Sequence, residues 1–150
     1  MSSIVTIRLA KDDEIHWVND QYQRVGFKLS SIDSDVIAIA LIDGQKVGVG
    51  RVQQITEHAA ELGGMYVNPD FRGVGVAAKL VAFLVDNASQ YANVFCLPFA
   101  HLAKFYEKYG FKPVEADEQH VPDIVLSKHH WCNEMYEHEI LLFVKNSKSS

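Results

Sequence analysis

The chain has 150 residues, 14 Lys+Arg against 19 Asp+Glu and a formal charge of −5, with 48% hydrophobic and 22% charged residues. That length predicts one domain able to bury roughly two-thirds of its unfolded surface, and the apolar content excludes a disordered tail. No run approaches the ~18 apolar residues of a membrane span, and the net acidic balance argues against nucleic acid as a partner.

The opening Met1-Ser2-Ser3-Ile4-Val5-Thr6-Ile7-Arg8 lacks a basic leader followed by an apolar stretch, so no secretory signal is expected. Two cysteines, Cys96 and Cys132, are too few for a disulfide framework and show no C-x-x-C spacing, which fits a reduced cytoplasmic protein. The run His129-His130-Trp131-Cys132 invites a zinc reading, but adjacent histidines diverge on a helix and no ligand spacing repeats, so no metal is expected.

Ile4 to Leu9 alternates apolar and polar side chains and predicts a first strand. Lys11-Asp12-Asp13-Glu14 puts negative charge where a helix begins, and Ile15, Val18, Tyr22 and Val25 continue it at spacings of three and four until Gly26. Ser30 to Asp35 is a polar loop. Val36 to Ile42 is an apolar β-branched run, followed by Asp43-Gly44 and a second strand over Val47 to Val52, a hairpin pattern. Glu61 to Val67 is a further strand, turned by Asn68-Pro69-Asp70, and a helix is expected from Gly75 to about Gln90. Val94 to Leu97 is a short strand stopped by Pro98. Ala100 to Tyr109 is helical with Gly110 as its cap, and Phe111 begins another strand. Asp123 to Cys132 predicts a short helix, Ile140 to Val144 a last strand, and 145–150 a polar tail. The order gives one α/β domain, residues 1–150, with a mixed sheet rather than an alternating parallel one.

The most informative segment is Val67-Asn68-Pro69-Asp70-Phe71-Arg72-Gly73-Val74-Gly75-Val76-Ala77-Ala78. A strand ends and glycines stand where a helix starts, so several amide N–H groups lack intrahelical partners at the positive end of the dipole. Gly73 and Gly75 lack the Cβ atoms that would hold a pyrophosphate away, and Arg72 adds a charge beside it. A plain tight turn would use the same glycines. Gly73-x-Gly75-x-x-Ala78 also satisfies the dinucleotide fingerprint, but five residues separate Val67 from Gly73 and the next strand ends in Pro98 without an acid, which disfavours a nicotinamide oxidoreductase.

Arg72-x-x-Gly75-x-Ala77 resembles the R/Q-x-x-G-x-G/A signature of the GNAT superfamily of N-acetyltransferases. Met65-Tyr66-Val67-Asn68-Pro69 is similar to that family's fourth strand and turn, and Phe105-Tyr106-Glu107-Lys108-Tyr109-Gly110-Phe111 to its F-Y-x-K-x-G-F element, about thirty residues downstream. The resemblance implies an α/β (α+β) fold whose mixed, mostly antiparallel central sheet is splayed in the middle and flanked by helices. It implies acetyl-CoA as cosubstrate, its pantetheine arm paired with backbone around Met65, Tyr66 and Val67. The diphosphate would lie on the amides of Gly73, Val74, Gly75, Val76, Ala77 and Ala78. The acceptor would be a small-molecule or peptide amine, and members of the family often form homodimers.

Acetyl transfer from a thioester to an amine requires the amine to lose its charge, the oxyanion to be stabilised and the thiolate to be protonated. By resemblance Tyr106 is the general acid, although an aromatic at this spacing also packs with Leu102 and Phe105. Glu61 stands near where some members keep a catalytic carboxylate; a strand-end glutamate is otherwise a solvated charge. His101 and a water chain are alternative bases. Cys96 would flank the splay, but nothing nearby lowers its pKa, so an acyl-cysteine route is rejected. Many relatives carry Asn seven residues before the tyrosine; here that position is Phe99. The segment Asp117 to Glu137 is rich in His and aromatics and fits either an acceptor-pocket lining or a surface cover. A non-catalytic CoA-binding module is the alternative to an enzyme.

Overall fold

The computed structural model describes residues 4–115, 117 and 119–147. The predicted tail therefore lies outside the described residues from 148 onward. The strands are β1 (Val5–Leu9), β2 (Asp35–Ile42), β3 (Gln45–Gln54), β4 (Ala59–Val67), β5 (Asn93–Cys96), β6 (Lys112–Pro113) and β7 (Phe143–Asn146). The helices are α1 (Ile15–Val25), α2 (Val76–Asp86), α3 (Ala103–Glu107) and α4 (Asp123–Met135). Hydrogen-bonded neighbours follow the order β1-β2-β3-β4-β5-β7-β6. The fold is mixed α/β, with a mostly antiparallel sheet whose parallel pairing is β4 with β5. Two compact units divide it, one of residues 1–53 and 63–88, the other of 54–62 and 89–150.

In the first unit β1, β2 and β3 form an antiparallel meander. Ile42 pairs with Gln45, so Asp43-Gly44 is a two-residue hairpin turn. Both residues have positive φ, 52° and 80°, the geometry that matches strand twist and that an Asp-Gly pair adopts readily. Side chains alternate along β3. Val49 joins Val18, Tyr22, Ile37 and Ile39 in a core beneath α1. Gly48 and Gly50 lie on the other face, where a Cβ on Gly50 would stand 2.5 Å from Met65 Sδ and 2.9 Å from Leu84 of α2. Lacking side chains there, β3 lets α2 lie directly on the sheet.

The second unit pairs β4 with β5 from Ala59↔Asn93 to Leu62↔Cys96, and β5 with β7 from Asn93↔Asn146 to Cys96↔Phe143. Its core gathers Ala59, Phe95, Val125 and Val144, which seats α4 on the sheet.

Several boundaries move from those the periodicity predicts. Helix α2 stops at Asp86 rather than near Gln90; the chain tightens there into shorter-range bonds, Asn87 N–H to Leu84 O and Ala88 N–H to Val85 O, both at 3.2 Å. Residues 100–109 split into a 3-10 turn over Ala100–Leu102 and the short α3. The strand expected at Phe111 shrinks to the two residues of β6. The last strand starts at Phe143; Ile140 instead makes an isolated bridge to Phe99, just past the donor-less Pro98. Helix α4 runs three residues beyond Cys132, to Met135.

Candidate active site

In the first unit β4 leads into the glycine turn. Gly64 has φ +61° inside the strand. A left-handed residue there breaks the regular ladder and bends the chain, as at a bulge. The ladder with β5 has already ended at Leu62, so Gly63 to Val67 continue past it. Met65 packs its sulfur toward Gly50 and Leu84, while Tyr66 packs on the α1 core. These side chains are committed to packing.

Asn68 ends the strand. Its N–H donates to Val47 O at 2.8 Å, and its Oδ1 accepts from Asp70 N at 2.9 Å, which closes a 3-10 turn over Pro69–Phe71. Arg72 then folds back, Nε donating to Val67 O at 3.0 Å. Gly73 and Gly75 both adopt left-handed conformations, φ 84° and 86°, and a Cβ on either would meet nothing within 4 Å. Both glycines thus face open space and hold a backbone shape that other residues resist. Gly75 is the N-cap of α2 and supplies no side-chain cap, so the first-turn amides of Val76, Ala77 and Ala78 have no intrahelical acceptor. Arg72, Gly73, Val74 and Gly75 are exposed, Ala77 and Ala78 half-buried. Val76 is buried, its Cγ1 lying 3.0 Å from where a Gly48 Cβ would be.

Tyr22 and Arg51 lie beside Gly64. A Cβ on Gly64 would come 2.6 Å from Tyr22 Oη and 2.9 Å from Arg51 Nε. Both atoms are buried without a hydrogen-bond partner among the described residues. The Arg51 guanidinium stands 4.4 Å from the Tyr22 ring centroid, and its Nη1 donates to Lys28 O at 2.8 Å. Burial pushes the Tyr22 phenol above its ordinary pKa, against the pull of the Arg51 charge. The Gly63-Gly64 pair was the available signal for this kink, since glycines inside a strand pattern mark bulges.

The second unit holds Tyr106, Cys96, Glu61 and His101. Tyr106, on α3, is buried, with the rings of Phe105 and Phe111 at 5.0 and 6.1 Å. Burial raises the pKa of its phenol, and the Cys96 thiol nearby adds to the rise. Cys96 is itself buried, and its thiol is pushed up first by burial and then by the Glu61 charge, with Lys128 opposing. Glu61 is not a solvated charge: its side chain is 6% exposed and Lys128 Nζ donates to its Oε2 at 2.5 Å. Lys128 has no local signal in the sequence, since 67 residues separate the partners. His101 is exposed and stacks on Phe99 with centroids 5.7 Å apart, beside His138 at 6.2 Å. From the segment 117–137, α4 supplies Val125 and Cys132 to this unit's interior and Lys128 reaches Glu61 from the exposed edge, while Trp131 and Tyr136 stay exposed.

A strand runs into two left-handed glycines and an uncapped helix, whose first-turn amides lack intrahelical acceptors, the arrangement at which helix N-termini suit anions. A family model described as an acetyltransferase (GNAT) domain matches residues 33–113, more than half of the chain, and the chain belongs to that family. Among curated proteins, no sequence matches. Solved structures resemble it at low identity. A Mycobacterium tuberculosis protein in complex with CoA has TM-score 0.71 and 15% identity, over 94% of this chain and 98% of that one. The ribosomal-protein-S18-alanine N-acetyltransferase of Escherichia coli has TM-score 0.70 and 15% identity, over 98% and 96%. The N-acetylglutamate synthase of Neisseria gonorrhoeae, complexed with coenzyme A and N-acetyl-glutamate, has TM-score 0.65 and 17% identity over 99% of this chain. The chain spans only 36% of that synthase's length. At these identities the likeness establishes the fold. No helix among the described residues is long and apolar enough to cross a membrane.

Proposed function

We propose that this chain transfers an acetyl group from acetyl-CoA to a primary amine by direct attack, without an acyl-enzyme. The observation that carries the reading is the pair Gly73 and Gly75, left-handed and open to solvent ahead of an uncapped helix. A pyrophosphate there accepts from the free amides between Gly73 and Ala78, with Arg72 beside it. The pantetheine arm pairs with the backbone of Met65, Tyr66 and Val67, beyond the end of the β4–β5 ladder. CoA-bound structural neighbours support that cosubstrate.

Direct attack fits the state of Cys96, whose raised pKa keeps it a thiol and so a poor nucleophile. Tyr106 serves as the general acid toward the departing sulfur. Its raised pKa keeps the phenol protonated, so the proton is in place when the thiolate forms. In water, phenol to thiolate is uphill by about 1.5 pKa units, roughly 2 kcal/mol. Burial raises phenol and thiol alike, as it does for Tyr106 and Cys96, so the gap need not widen in the site. Glu61 is the candidate base for the acceptor ammonium, once Lys128 yields its oxygen. The acceptor is a small-molecule or peptide amine; the bacterial neighbours include an enzyme of a ribosomal-protein alanine and an N-acetylglutamate synthase.

The test is thiol release from acetyl-CoA across a panel of amino acids, polyamines, aminoglycosides and peptides. Amine-dependent release supports the reading. CoA binding with no release from any amine would make the chain a binding module instead.

A further inference from the structure

Lys128 projects from α4 onto Glu61, the buried carboxylate one pair before the end of the β4–β5 ladder. Val125 and Cys132, three residues before and four after, are buried, so Lys128 stands at the edge of the packed face. Its side chain is 44% exposed, whereas Glu61 is 6% exposed. The amine therefore reaches inward from solvent to the carboxylate. The charges of Glu61 and Lys128 both act on the Cys96 thiol, and that thiol acts on Tyr106, so four groups share one locality of the second unit. In a transferase whose base is Glu61, an acceptor ammonium must come within hydrogen-bond reach of that carboxylate. Lys128 Nζ already occupies such a position, at 2.5 Å.

We propose that Lys128 is itself an acceptor, an internal amine acetylated by the protein's own transfer step. This rests on the acetyltransferase reading above. Glu61 takes a proton from the Lys128 ammonium, and the neutral Nζ attacks the thioester carbonyl. An N–C bond forms, the C–S bond breaks, the nitrogen sheds its second proton to solvent, and the sulfur leaves as thiol with the Tyr106 proton. Tyr106 is reprotonated from solvent and Glu61 gives its proton up to solvent. The net change is acetyl-CoA plus lysine ammonium to N-acetyl-lysine, CoA thiol and one proton. Because Nζ must leave its 2.5 Å contact with Glu61 before it attacks, the step is slow. It happens once per chain, and it replaces the cation on Glu61 with a neutral amide, which leaves the carboxylate available to an external amine.

The experiment incubates the full chain with acetyl-CoA and follows each lysine by peptide-mapping mass spectrometry, with acetyl phosphate as a donor lacking CoA. Lys128 is expected to be modified at least about tenfold faster than the exposed Lys11, Lys79 and Lys104. That preference should vanish with acetyl phosphate and in Glu61→Gln, and the corresponding mass gain should disappear in Lys128→Arg. Equal rates at all lysines, or the same preference with acetyl phosphate, overturn the proposal. So does an unmodified Lys128 in a protein that releases thiol with external amines, an outcome that leaves the acetyltransferase reading standing. Absence of both CoA binding and thiol release defeats the two together.

Discussion

Replacing Gly64 with alanine tests the kink in β4 ahead of the glycine turn. The residue holds φ +61°, and the new Cβ would stand 2.6 Å from Tyr22 Oη, 2.9 Å from Arg51 Nε and 3.0 Å from Tyr22 Cζ. The left-handed conformation costs alanine ~1–2 kcal/mol. Tyr22 and Arg51 are both buried, so neither can swing into solvent, and the overpacking adds ~1–3 kcal/mol. A loss of ~2–5 kcal/mol is therefore expected, read as a fall of about 1–2.5 M in the urea midpoint for a slope of ~2 kcal/mol/M. Tyr22→Phe alone deletes a buried hydroxyl that has no partner and should be nearly neutral. Combined with Gly64→Ala it removes the shortest clash and should recover ~1 kcal/mol of the loss. A Gly64→Ala variant weakened by less than ~1 kcal/mol would refute the reasoning, because strain and overpacking each predict at least that much.

Gly75→Val faces open space, so its stability cost is confined to backbone strain of ~1–3 kcal/mol, while calorimetry should show CoA affinity falling by more than about tenfold; retained affinity would place the diphosphate elsewhere. Tyr106→Phe should lower amine-dependent thiol release by at least about tenfold with CoA affinity unchanged, and equal turnover would remove the phenol from the mechanism. Glu14 accepts both arms of the Arg8 guanidinium, at 2.6 and 2.8 Å, which holds its carboxyl at about 2 rather than the ordinary 4.5. Since the folded value is the lower one, this stabilisation is complete above the ordinary pKa and is lost as pH falls toward 2. With Arg8 32% exposed, its worth is about 1–2 kcal/mol; Glu14→Gln should lose that much at neutral pH and show a correspondingly flatter acid limb in urea midpoints, and parallel limbs would contradict it.

Local rules read much of this fold from the sequence. The Asp43-Gly44 hairpin, the α1 stripe of Val18 and Tyr22, and the glycines before α2 each follow from one residue type meeting one backbone demand. What local rules missed depends on tertiary partners. Lys128 on Glu61 joins residues far apart in the chain, so no window on the sequence contains both. The last strand breaks at the pairing of Phe99 with Ile140, and α2 ends where its bonds tighten at Asn87 and Ala88, both against an apolar pattern that would otherwise continue. Tyr106 illustrates both sides. Its place on a short helix before Gly110 was legible, but the burial that keeps its phenol protonated comes from Phe105, Phe111 and Cys96 once they are folded around it.

The most direct measurement is a titration of isotopically labelled protein with CoA, followed by backbone amide resonances. Large, saturable shifts should fall on the amides from Gly73 to Ala78 and on Met65, Tyr66 and Val67. Shifts absent from these amides while the ligand saturates another surface would contradict the account.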